Sequence, residues 1–118
     1  MRDHTKLRAF ELADDLALHV YRATGNFPKT EQYGLVAQIR RAAVSVASNI
    51  VEGCARNTES DYLRFLDVAY GSARELEYQL SLAYRLGYLT TAAHEILNSK
   101  VVETGKVLNG LINSLRRR

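Results

Sequence analysis

Apolar residues recur at helical spacing along nearly the whole chain, and the alternation that marks a half-buried strand is nearly absent. Breaks in this pattern predict four helices. The first is expected from about Lys6 to Thr24, with Leu7, Phe10, Ala13, Ala17 and Val20 on one face. Gly25-Asn26 ends it, and Pro28 blocks resumption through its fixed φ and missing N–H. Thr30 is the expected N-cap of the second helix, with Glu31 favourable in its first turn. Gly53 weakens that helix near its end, and Arg56-Asn57 makes the turn. Thr58-Glu59-Ser60-Asp61 then reads as a capping box with Asp in place of Glu or Gln.

The third helix has the clearest seam. Tyr62, Leu66, Ala69, Ala73, Leu76, Leu80 and Ala83 follow steps of four and three, the spacing of antiparallel bundle packing. Gly87 is its expected C-cap. Thr90 or Thr91 opens the fourth helix, whose seam is Leu97, Val101, Thr104, Leu108, Leu111 and Leu115. Gly105 and Gly110 inside it each cost about 1 kcal/mol against alanine, which fits either close packing or a frayed helix. Short connections make successive helices antiparallel neighbours. The expectation is an all-α, single-domain, up-down-up-down four-helix bundle over residues 1–118.

The second helix is unusual. At about 100° per residue, Leu35, Ile39, Ala42, Val46 and Ile50 share one arc, assigned to the subunit core. Ala37, Val44, Ala47 and Val51 form a second apolar arc, interrupted only by Arg40. A surface helix needs one apolar face. In a chain this short the second arc points to another subunit, although its own chain could also cover it. Between the arcs runs a polar stripe of Gln38, Arg41, Ser45, Ser48, Asn49 and Glu52. We read this stripe as structural, a polar network between helices or subunits, with Glu75 and Glu77 as candidate partners for the arginines.

Composition adds little to this picture. The chain is 47% hydrophobic and 25% charged, ordinary for a globular domain. No apolar run approaches the roughly 18 residues of a membrane span, and the first residues lack a signal-peptide core. The single cysteine, Cys54, excludes an internal disulfide and fits a reducing cytoplasm. Lys and Arg outnumber Asp and Glu 16 to 13, a mild basic excess. Its clustering marks Arg116, Arg117 and Arg118 as the leading candidates for phosphate contact, followed by Arg40, Arg56 and Arg64. Signals for catalysis are weak. His4, His19 and His94 form no metal-ligand pair, and no glutamate has a histidine three residues on, as a di-iron bundle requires. No phosphate-cradling glycine loop or nucleophile elbow occurs, and Cys54 has no identifiable base. Neither enzyme activity, nor a metal, nor a cofactor is expected. Tyrosines outnumber phenylalanines seven to three, which suits subunit interfaces or base stacking.

The residues Phe27-Pro28, Tyr33-Gly34-Leu35, Gln38 to Ser45, Ser48-Asn49-Ile50 and Glu52-Gly53 resemble the signature of a bacterial four-helix-bundle family. That family was first recognised as open reading frames within intervening sequences of large-subunit ribosomal RNA genes. Phe65-Leu66, Ala69 to Ser72, Glu75-Leu76-Glu77 and Leu86 to Leu89 match the second half of the signature. The resemblance covers about Leu7 to Leu111. Ala47 departs from a frequent proline, and Tyr70 from a smaller or basic residue. The resemblance implies a ring-like homo-oligomer, typically a pentamer. It also implies likeness to the accessory proteins of diversity-generating retroelements, pentameric bundles that bind nucleic acid and a reverse transcriptase. The expected function is a non-enzymatic oligomeric scaffold that binds RNA or other nucleic acid through basic surface, beside a protein partner such as a reverse transcriptase. The alternative is a protein-interaction module without nucleic-acid binding.

Overall fold

The computed structural model describes residues 2–118; Met1 lies outside them. It contains α1 (Arg8–Thr24), α2 (Leu35–Cys54), α3 (Glu59–Arg85) and α4 (Thr91–Arg116), with short 3-10 turns at His4–Lys6 and Lys29–Glu31. There is no strand among the described residues. Each helix packs on two others, α1 on α2 and α4, and α3 on α2 and α4, so the helices stand at the corners of a square. Contacts between remote residues fix the directions. Arg40 reaches Thr24 while Arg2 reaches Cys54. Ser45 meets Ser72 while Gly53 lies against Phe65. Tyr84 meets Thr91 while Asp67 meets Arg116. Asp15 meets Lys100 while Arg8 meets Glu103. Every adjacent pair is therefore antiparallel, in a bundle of 45 × 23 × 19 Å.

The core forms where the seams meet. All of the third-helix seam, Tyr62 to Ala83, is buried as its spacing predicts. In α2, Ile39, Ala42, Val46 and Ile50 are buried, joined by Val36 and Ala43, while Leu35 is half-buried. Two seams need correction by one helical position. In α1 the buried line is Ala9, Ala13, Leu16, Val20 and Thr24; Leu7, Phe10 and Ala17 flank it. Apolar residues surround much of α1, so its rotation is set by packing on both α2 and α4. In α4, Ile112 replaces Leu111 in the buried line. Steps of three then four, or four then three, both satisfy the periodicity between Leu108 and Leu115.

The helix ends also differ in part. Thr58 and Thr90 cap α3 and α4 by accepting from the N–H groups of Asp61 and Ala93. Gly87 follows α3 with φ of 82°, in the left-handed region that glycine adopts without strain. Thr30 does not cap α2. It lies inside the 3-10 turn, and α2 starts at Leu35. The orphan N–H of Leu35 is taken by the Glu31 carboxylate at 3.2 Å, whose other oxygen accepts from Tyr88 O–H at 2.9 Å. The longer Glu side chain reaches a donor that the Thr hydroxyl does not, and Phe27 seats the loop against the Tyr88 ring. Neither Gly105 nor Gly110 frays α4, which runs to Arg116. Nor do they admit a close neighbour. A Cβ on Gly110 would meet nothing within 4 Å, and one on Gly105 only the Tyr70 ring at 4.0 Å.

Candidate nucleic-acid interface

Antiparallel order gathers the start of α1, the end of α2, the start of α3 and the end of α4 at one end of the bundle. Most of the candidate arginines fall there: Arg56, Arg64, Arg116, Arg117 and Arg118. Arg2, which sequence reasoning left out of its candidates, joins them. Its backbone N–H donates to Cys54 O at 3.1 Å, its guanidinium lies 4.0 Å from the Tyr62 ring centroid, and its Nη1 donates to Arg56 O. Two further guanidinium groups lie over one ring. Arg56 is 4.5 Å and Arg64 4.7 Å from the centroid of Phe65.

Charge at this end is unevenly free. Arg116 pairs with Asp67 at 2.6 Å and Arg118 with Glu59 at 3.0 Å. Arg64 sits 3.6 Å from Asp61. Arg2, Arg56 and Arg117 have no carboxylate partner among the described residues. Exposed ion pairs are worth about 0–1 kcal/mol, so an incoming phosphate can exchange into them, but unpaired arginines take it without that loss. Beside the pairs is a shallow concavity of about 700 Å³, lined by Leu63, Arg64, Asp67, Val68, Arg116 and Arg118 among others.

Arg40 lies far from this end. Its Nε donates to Thr24 Oγ1 at 2.9 Å and its Nη2 to Tyr21 O at 3.1 Å, with the guanidinium 4.5 Å from the Tyr21 ring centroid. It thus supplies donors and positive charge to the carbonyl end of α1, which is the favourable end for a cation. Arg40 is placed to hold α1 on α2.

The outer arc of α2 is partly uncovered. Val44 is 41% exposed, and Ala37, Ala47 and Val51 are half-buried. The uncovered face continues onto α1, because Tyr21 sits under Arg40 and is 45% exposed, and Leu18, one turn away, is 50% exposed. The polar stripe divides. Ser45 and Ser72 hydroxyls meet at 2.8 Å, and Asn49 Nδ2 donates to both Ser45 O and Ser45 Oγ, so these residues tie α2 to α3. Gln38, Arg41, Ser48 and Glu52 are exposed and make no side-chain hydrogen bond among the described residues. Glu75 and Glu77 do not meet the α2 arginines. Glu75 accepts from Gln79, and Glu77 pairs with Arg74 at 3.5 Å, each within one turn of α3. Local partners on the same helix win over a cross-helix reach.

Behind the basic end, Tyr62 is buried (2% exposed) beside the Cys54 thiol. Burial and this neighbour push its phenol up to about 12, and burial also raises the Cys54 thiol. A raised phenol favours the neutral form in the folded state. Its contribution to stability is full below pH 10 and is lost as pH rises toward about 12. Alkaline denaturation followed by far-UV circular dichroism should therefore steepen over that interval, and Tyr62→Phe should flatten it. An unchanged alkaline limb in the variant would remove Tyr62 as the cause. No group of three or more His, Cys, Asp or Glu that could hold a metal gathers among the described residues. No helix among them is long and apolar enough to cross a membrane.

Fold and site together define an antiparallel four-helix bundle with a basic, aromatic-backed end and a partly uncovered apolar face on α1 and α2. The family model of the 23S rRNA-intervening sequence protein matches residues 5–110, and the chain belongs to that family. A solved structure from Bacteroides thetaiotaomicron VPI-5482, a protein with unknown function from the S23 ribosomal protein family, has the same fold. It superposes with a TM-score of 0.82 at 24% identity, covering 89% of this chain and 95% of that one. A search of curated proteins returns no match.

Proposed function

We propose that this protein is a non-enzymatic, cytoplasmic homo-oligomeric scaffold, most simply a pentameric ring, that binds RNA or other nucleic acid through its basic end. The observation that carries the reading is the convergence of Arg2, Arg56, Arg64, Arg116, Arg117 and Arg118 at one end of the bundle, where Arg2, Arg56 and Arg117 have no carboxylate partner among the described residues. The name of the family, which ties it to intervening sequences of 23S rRNA, agrees with an RNA context. Assembly would amplify the effect. A net charge of +3 per chain becomes about +15 in five copies, concentrated wherever the basic ends converge. The uncovered face around Val44, Tyr21 and Leu18 is the surface on which we expect copies to meet, since such a patch is a liability on a monomer.

Both halves are testable on the purified protein. Light scattering should report a multimer, and Val44→Glu should dissociate it while keeping the helical circular dichroism. Val44 is exposed within the subunit, so the charge is buried only at an interface. A monodisperse parent monomer at micromolar concentration would reject the assembly. RNA and DNA affinity measured across a salt series should fall steeply with salt and show little sequence preference. A chain ending at Leu115 should lose part of the affinity and part of the salt slope. No binding by the intact oligomer at low salt would reject the nucleic-acid role and leave a protein-interaction module.

A further inference from the structure

The free and paired arginines differ in what lies behind them. Arg116 and Arg118 point their N–H edges at carboxylates. Arg56 and Arg64 lay their guanidinium groups over the Phe65 ring, and Arg56 is exposed with no carboxylate partner among the described residues. A guanidinium is planar and weakly hydrated on its faces, while its five N–H donors lie in the plane. Seated on an aromatic ring, it keeps one flat face for a second π-system and its edge for a phosphate. Unpaired nucleobases stack on such planes; bases inside a duplex do not present a face.

We infer that the Arg56 guanidinium held over Phe65, flanked by Arg64, is a subsite for an unpaired nucleobase. The basic end therefore takes single-stranded nucleic acid in preference to duplex. This inference rests on the nucleic-acid reading above. Arg56 supplies a stacking surface and a phosphate contact at once. Arg64 lies 4.7 Å from the centroid of the same ring, and Phe65 itself lies close against Gly53 of α2.

The test separates stacking from charge. Labelled oligo(U), oligo(dT) and a duplex of matched length are titrated by fluorescence anisotropy with the intact protein, Arg56→Lys and Arg56→Ala. Arg56 lies exposed in the α2–α3 turn, so both variants are expected to fold. The parent should bind single strands more tightly than duplex by about tenfold, the effect of one stacked base. Arg56→Lys keeps the charge and loses the plane. It should lose about tenfold on single strands, keep its duplex affinity and keep its salt slope. Arg56→Ala should also lower the single-strand salt slope by about 0.7 per lost contact. Binding of both oligo(U) and oligo(dT) assigns the subsite to the base alone, and binding of oligo(U) alone assigns it to RNA. Equal affinity for single strand and duplex, or Arg56→Lys indistinguishable from the parent, overturns the inference while leaving nucleic-acid binding intact. No binding of any strand at low salt overturns that reading, and the inference falls with it.

Discussion

Gly53→Val is expected to destabilise the subunit by about 3 kcal/mol or more, the upper range for overpacking a tight contact. Gly53 lies close against α3. A Cβ there would lie 3.0 Å from Phe65 Cβ, 3.2 Å from Tyr62 Cδ1 and 3.4 Å from Tyr62 O. None of these atoms is the far end of a flexible side chain, so α3 itself must move. Gly53→Ala sets two effects against each other. It gains about 1 kcal/mol of helix propensity and loses more by wedging the helices apart, for an expected net loss of about 1 kcal/mol. Gly110→Ala is the matched comparison, because a Cβ there meets nothing within 4 Å. It should raise stability by about 1 kcal/mol. Urea unfolding of the three variants checks the pattern. Gly53→Ala as stable as Gly110→Ala would show that α2 and α3 are not in tight contact. The same displacement should disturb the basic end, since Phe65 carries Arg56 and Arg64.

Glu31→Ala is expected to lower stability by about 2 kcal/mol, combining a lost cap with a lost charge-assisted hydrogen bond. One carboxylate caps α2 at Leu35 N–H and holds the α3–α4 loop through Tyr88 O–H. Glu31→Gln keeps the shape and should cost about half as much, because a neutral amide oxygen accepts more weakly. The hydrogen bond to Glu31 raises the Tyr88 phenol above its ordinary value of 10.0. Stability from this contact is present below that pH and is lost as pH rises past it. Thermal melting and ultraviolet titration of tyrosine would follow both effects. A Glu31→Ala protein that melts with the parent would show that Gly34 and the 3-10 turn suffice to start α2.

The four long helices were legible as helices, while the two short 3-10 turns were not. The third-helix seam is buried residue for residue, and Thr58, Gly87 and Thr90 act at the helix ends as their chemistry predicts. The start of α2 was not legible, because the acceptor for Leu35 N–H is a side chain whose other oxygen is held by Tyr88, 57 residues away. Nor was the role of Arg40, whose partners Thr24 and Tyr21 O belong to another helix. Within the candidate site, the sequence marked the arginines by clustering. It carried no sign that Arg2 reaches Tyr62 or that Arg56 reaches Phe65.

What the sequence by itself determined is local. Periodicity of apolar residues, caps and breakers act within a few residues, so they decide that four helices form and which broad face of each is apolar. What only the tertiary structure decided is the rotation and axial register of those helices. Core packing sets both, and register alone brings Asp67 to Arg116 and Glu59 to Arg118 while leaving Arg2, Arg56 and Arg117 unpaired. An arginine's formal charge is written in the chain, but whether that charge is free for a phosphate depends on a carboxylate tens of residues away, at a distance fixed by how the helices pack.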